Sequence, residues 1–313
     1  MDEVRALVKE LMQLDDDHEV LFLHGGASSQ FMQVPMNLLD EKDTAAFADT
    51  GVWSSKAIKE AKLFGKAEIV CTSKDDNYRF IPKNFAVPND ARYFHITTNN
   101  TIYGTQWKSI PHTSNTLVAD MSSDIFSRRL NFNEFSLIYA GAQKNMGPAG
   151  LTVVVLREDA LRDLPAGTPS SLDYRAHLAA PDGMLNTPPT YSIYLLGLTL
   201  DWVAEQGGVA ALGERNATKA RTLYSYIDGS GFYRNPVAPE WRSRMNIPFL
   251  FDQKVADTKL EAEFLVGAKA AGLANLEGHR SVGGMRASLY NAMPLAGVAA
   301  LIDYMREFAR SHG

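Results

Sequence analysis

The chain alternates short apolar runs with stretches of helical spacing. Val4, Leu7, Val8, Leu11 and Met12 fall three or four residues apart, so an amphipathic helix opens the sequence. Strand-like runs follow: EVLFL, TAAFAD, AEIVCTS, YFHITTN, NTLVAD, FSLIYAG and LTVVVL. SQFMQVPMNLL, after the first run, and WSSKAIKEAKLF, after the second, read as helices. This alternation predicts an α/β fold, a doubly wound and mostly parallel sheet sandwiched by helices. The last two runs are joined by a short connection, which suits antiparallel neighbours in a mixed sheet. After NTPPTYSIYLLGLTLDWVAEQGG the texture changes. Residues 209–230 read as one long helix, followed by RMNIPFLF (strand), LEAEFLVGAKAAG (helix), GGMRASLYN (strand) and LAGVAALIDYMREFARSHG (helix). A large domain is expected over residues 1–210 and a smaller α+β domain over 211–313.

Composition narrows the class. With 313 residues, 45% hydrophobic and 21% charged, the chain has the make-up of an ordinary globular protein. A net charge of −5 leaves no basic excess for nucleic acid. No apolar run approaches the roughly 18 residues of a membrane span, so no membrane partner is expected. The opening MDEVRALVKELMQL mixes acids and bases, unlike a secretory signal. The one cysteine, Cys71, excludes an internal disulfide framework and fits a reducing, cytoplasmic setting. Histidines show no HExxH, HxH or CxxC spacing, and no metal site is expected.

Candidate chemistry begins with SLIYAGAQKNMGPAGLTVVVL, which places Lys144 between two runs that read as buried on both faces. A lysine at a hairpin tip is normally a solvated charge; at the end of interior strands it becomes a candidate for chemistry. Ligands of open α/β sheets sit at the carboxyl ends of strands, and three further features fall there. HGGASSQF follows the first strand and opens a helix, where small residues and free N–H groups suit a phosphate. The same turn serves equally as an ordinary N-cap built on Ser28 or Ser29. Trp53, after the second strand, either stacks on a flat heterocycle or covers the sheet end. Asp120 ends LVAD and either pairs with a protonated ring nitrogen or caps a turn with Ser122 and Ser123. A free lysine titrates near roughly 10.4, so as a nucleophile it needs a dry or cationic setting, or an aldehyde cofactor with which to form an imine. Phosphate cradle, aromatic plate, carboxylate and lysine together are the parts that hold pyridoxal phosphate.

GGASSQFMQVPMNLL, AGAQKNMGPAG, NTPPTYSIYLLGL and GHRSVGGMRASLYNAM carry a wider likeness. Over nearly its whole length the sequence resembles the phosphoserine aminotransferases, class V members of the fold-type I pyridoxal-phosphate enzymes. The resemblance implies that Lys144 binds the cofactor and moves the proton between it and the substrate Cα. It implies Asp120 as partner of the pyridinium nitrogen and Trp53 as the stacking plate. Ala27 and Ser28, helped by Gln143, would hold the cofactor phosphate, and Thr101 would bond the phenolic oxygen or its surroundings. Asn186 and Thr187 would reach the cofactor phosphate of a second subunit, which implies a homodimer with shared active sites. Arg286 would take the substrate α-carboxylate, with His279 and Arg280 facing its phosphate, as suits a small anionic amino or keto acid. Without the resemblance, Arg280 and Arg286 read as ordinary surface or interdomain charges.

The implied reaction passes the amino group of L-glutamate to 3-phosphohydroxypyruvate, giving O-phospho-L-serine and 2-oxoglutarate in serine biosynthesis, with ping-pong kinetics. The family also carries an N-terminal segment with Asn-Pro-Gly-Pro and Ser-His-Arg-Ser, which this sequence lacks. The expectation is that cofactor binding survives and affinity for phosphorylated substrate suffers. Alternatives are another class V enzyme, of the alanine–glyoxylate aminotransferase or cysteine desulfurase type, and a truncated dimer that binds cofactor with impaired catalysis. A desulfurase needs a mobile cysteine, whereas Cys71 lies within a strand-like run. No GxGxxG follows the first strand, which argues against a nicotinamide-binding Rossmann protein.

Overall fold

Strand alternation sorts the core into two layers. The computed structural model describes residues 1–255 and 257–313. Its strands β1 (His18–His24), β2 (Thr44–Asp49), β3 (Lys66–Thr72), β4 (Tyr93–Thr97), β5 (Thr116–Asp120), β6 (Leu137–Gly141) and β7 (Leu151–Arg157) form one sheet in the order β1-β7-β6-β5-β4-β2-β3. Around it lie helices α1 (Asp2–Met12), α2 (Gly26–Leu38), α3 (Val52–Ala61), α4 (Tyr174–Ala179) and α5 (Thr190–Glu205). Phe22, Ala46, Phe94, Ala119, Ile138 and Val153 point to one side and join the core residues of α1 and α5. Leu21, Phe47, Tyr93, Val118, Tyr139 and Val154 point to the other and meet α2 and α3. Neighbours along each strand thus face opposite layers, as the two-residue pleat requires.

Strand direction matters more for the site. β2 pairs in parallel with β3 and β4, β4 with β5, and β5 with β6. β7 runs antiparallel to both β6 and β1. Two reversals leave β1 running the same way as β2–β6, so six strands end at one edge of the sheet. The antiparallel pairing expected of the last two runs is present. AEIVCTS forms the edge strand β3, where Cys71 is buried while Ile69 stays exposed.

The C-terminal part carries α6 (Gly208–Gly229), β8 (Tyr233–Arg234), β9 (Asn246–Phe251), α7 (Thr258–Ala270), β10 (Met285–Ser288) and α8 (Leu295–His312). Its antiparallel sheet, ordered β10-β9-β8, packs a separate core of Leu223, Phe249, Phe251, Phe264, Met305 and Phe308. Each such burial contributes about 2 kcal/mol. β8 has two residues, too few for any periodic signal, and escapes the sequence reading.

Gly104 fastens the connection after β4 to this second sheet. Its φ of 75° is left-handed, and an added Cβ would run into the Pro248 ring of β9. Gly104→Ala should therefore lower unfolding stability by about 2–4 kcal/mol, from backbone strain plus overpacking, read by chemical denaturation. A loss below about 0.5 kcal/mol, the level of an indifferent surface change, would contradict this close packing.

Candidate active site

The shared edge gathers five connections around one cavity of about 330 Å³. Ala27 and Ser28 enter it from the start of α2, and Trp53 from α3. Thr101 follows β4, Asp120 ends β5, and Gln143 and Lys144 follow β6. Seven of the residues singled out from the sequence line this cavity together.

Local rules explain each approach. Gly25, at the N-cap of α2, takes the left-handed φ of 93°, and the helix begins with its N–H groups free of side-chain caps. The turn before Trp53 is fixed by Asp49 at the end of β2. Its Oδ1 accepts from Ser54 Oγ (3.0 Å) and Ser55 Oγ (2.8 Å), and its Oδ2 from Tyr78 OH (3.2 Å). Ser54 Oγ in turn accepts from the Gly51 and Thr50 amides, both at 3.0 Å. A side chain at Gly51 would strike Asn100, so glycine lets the connections after β2 and β4 meet. Pleat parity turns Asp120 to the same sheet face as Val118, the face on which α2 and α3 lie.

Lys144, half-buried, and Asp120, buried, both lose hydration and are pulled towards neutrality. The Lys144 ammonium is lowered to about 8, chiefly by loss of water, opposed by Asp120 and reinforced by Arg286. Its Nζ donates to Thr101 Oγ1 at 2.7 Å and lies 6.0 Å from the centre of the Trp53 ring. Asp120 is 5% exposed, and loss of hydration raises its carboxyl above the ordinary range against the hydrogen bonds of Ser122. The Ser122 amide donates to Asp120 Oδ1 at 2.9 Å. Among the described residues Asp120 has no ion-pair partner within 4 Å. Trp53 Nε1 and Thr97 Oγ1 are also buried without partners. A buried carboxylate facing a cavity, beside a helix N-terminus and an amine, suits a ligand with a protonated ring nitrogen, a carbonyl and a phosphate.

The C-terminal part approaches the cavity through Arg286, although Arg286, His279 and Arg280 are not among the residues that line it. Arg286, on β10, donates from Nη1 to the Thr101 carbonyl at 3.3 Å, and its Nε is buried and unpartnered. His279, half-buried, is held below its usual range by loss of water and by the charges of Arg280, Arg286 and Lys56. Arg280 is exposed. Asn186 and Thr187 do not line the cavity: both are exposed, with the Thr187 carbonyl 3.1 Å from His24 Nε2.

Several contributors escaped the sequence reading. Thr97, Asn99 and Phe31 line the cavity, and Lys56 Nζ sits 4.4 Å from the Trp53 ring centre. The polar run TTNN, which starts on the last residue of β4, was the one available signal for the first two. A buried amide relay ties the lysine connection to the C-terminal part: the Asn291 amide donates to Asn145 Oδ1 at 3.0 Å, and Asn216 Nδ2 donates to Asn291 Oδ1 at 2.8 Å. Asn291 Nδ2 also reaches the Phe126 carbonyl at 3.0 Å.

Known proteins resemble this arrangement throughout. A phosphoserine aminotransferase of Parabacteroides distasonis is 50% identical over 311 residues, which span 99% of this chain and 86% of that relative. A solved phosphoserine aminotransferase, described for radiation damage of its Schiff base, superposes with a TM-score of 0.94 at 44% identity, covering 99% of this chain and 86% of the other. The phosphoserine aminotransferase of Trichomonas vaginalis, solved with pyridoxal phosphate bound, gives 0.91 at 36% identity, covering 97% and 86%. The family profile described as aminotransferase class-V matches residues 1–301. By these matches, and with a sheet edge built as described, the chain belongs to the class-V aminotransferases.

Proposed function

We propose that this chain is a pyridoxal-phosphate-dependent aminotransferase that exchanges an amino group between L-glutamate and 3-phosphohydroxypyruvate, forming O-phospho-L-serine and 2-oxoglutarate. The observation that carries the reading is Lys144 Nζ, lowered to about 8 inside a cavity it shares with Asp120, Thr101 and Trp53. Bound there, pyridoxal phosphate supplies an aldehyde for the amine and a cationic ring that draws electrons from the substrate Cα.

The chain's own residues then divide the work. Lys144 would hold the cofactor aldehyde and would take and return the substrate Cα proton; its lowered basicity suits a neutral amine near physiological pH. Asp120 holds the proton on the ring nitrogen, and its own burial makes that charge pair strong. Trp53 covers the ring face and excludes water. Ala27, Ser28 and Gln143 take the cofactor phosphate, Ala27 and Ser28 at the N-terminus of α2. Thr101 orients the amine through the 2.7 Å hydrogen bond. Arg286 takes the α-carboxylate common to both amino acids, and His279 with Arg280 the substrate phosphate.

The same reading extends to assembly and setting. Asn186 and Thr187, exposed and away from their own cavity, serve the cofactor phosphate of a second copy, making the working unit a homodimer in the cytoplasm. The cavity and the three-stranded sheet divide between a cofactor domain over residues 1–210 and a smaller domain over 211–313.

Two measurements test the chemistry. Purified protein with pyridoxal phosphate should show a cofactor absorbance band that changes on adding glutamate. Lys144→Ala should abolish that response while its circular dichroism stays native; a retained response would exclude the amine from the reaction. The second concerns pH. Cofactor loading consumes the neutral amine, so its rate should rise about tenfold per pH unit below 8 and level off above. A rate still climbing steeply between about pH 9 and 10, as for an ordinary lysine near 10.4, would remove the dry environment assigned to Lys144.

A further inference from the structure

Lys56 lies on α3 one turn beyond Trp53, and its exposed side chain lays Nζ over the indole at 4.4 Å from the ring centre. It has no carboxylate within 4 Å among the described residues. The indole braces the amine but leaves its charge uncompensated. Trp53, which Lys56 overlies, lines the cavity with Thr101, whose carbonyl accepts from Arg286 of the C-terminal part at 3.3 Å; the charges of Lys56, Arg280 and Arg286 all act on the His279 ring. Cations carried by α3 and by β10 therefore stand beside two residues that line the same cavity, Trp53 and Thr101. Such a cluster repels itself until an anion enters, and a phosphate monoester, carrying roughly −1.5 to −2 at neutral pH, offers charge and acceptor oxygens to both sides at once.

We propose that Lys56 binds the substrate phosphate from the large-sheet side, as the counterpart of His279 and Arg280, and so selects phosphorylated keto acids over unphosphorylated ones. This assignment rests on the aminotransferase reading above and adds a specificity residue to it. A neutral residue at position 56 would leave the phosphate held from one side only.

Lys56→Gln keeps the length of the side chain and removes the charge; Lys56→Arg restores it. With 3-phosphohydroxypyruvate as acceptor, KM should rise about tenfold or more in Lys56→Gln and return to within about threefold of the wild type in Lys56→Arg. KM for glutamate, whose side chain ends in a singly charged carboxylate in place of a phosphate, should rise clearly less than KM for the acceptor, and inorganic phosphate should weaken as a competitive inhibitor alongside the acceptor. An unchanged KM for the phosphorylated acceptor overturns the assignment, as does an equal rise for glutamate, which would mean general damage to the site. The wild type separates the two levels of the argument. Equal kcat/KM for pyruvate and 3-phosphohydroxypyruvate in the wild type would overturn the substrate reading and this inference with it. A wild type that prefers the phosphorylated acceptor, with Lys56→Gln keeping that preference, overturns the role of Lys56 alone.

Discussion

Exclusion of water from one sheet edge is the constraint on which the rest of this structure depends. An amine and a carboxylate placed there both lose hydration, and each is pushed towards its uncharged form: Lys144 down to about 8, Asp120 up. Their mutual attraction opposes the shift without cancelling it. Burial of this kind costs stability, which the two apolar layers of the large sheet offset. What the fold gains is an amine that is partly neutral where an exposed lysine would be almost wholly protonated. The same dryness strengthens any charge contact made to a bound ring.

Geometry supplies the second condition. A site at strand ends needs those ends on one side, and the lone reversed strand, β7, secures this by turning the chain back between β6 and β1. With β1 running alongside the others, the glycine turn before α2 opens on the same edge as the lysine connection. Pleat parity then selects the face. Asp120 shares its side with Val118, Tyr139 and the helices α2 and α3, so carboxylate, indole and helix N-terminus meet without any special loop. A one-residue slip in β5 would turn Asp120 to the layer of α1 and α5 and dismantle the site.

Much of this was legible in the sequence because it depends on periodicity and on residue type at strand ends. The seven large-sheet strands, the helices after the first two, and the positions of Lys144, Asp120, Trp53 and Ala27 all follow from local pattern. Strand order did not: nothing within HEVLFLH says that its neighbour is LTVVVLR, more than a hundred residues later. Nor were the amides legible. Asn145, Asn216 and Asn291 read as turn or surface residues one at a time, and only tertiary packing shows them buried and joined. Lys56 looks like any solvated lysine on a helix until the indole one turn away is seen to carry it.

The amide relay has a mechanical meaning. Asn145 adjoins Lys144, while Asn291 lies five residues past Arg286, and the two asparagines are directly bonded. Asn216 anchors the same knot to the long helix beneath. The chain after Lys144 and the chain after Arg286 are thereby bolted to one another inside the protein, so the spacing of the two cations is set by buried amides rather than by the side chains themselves.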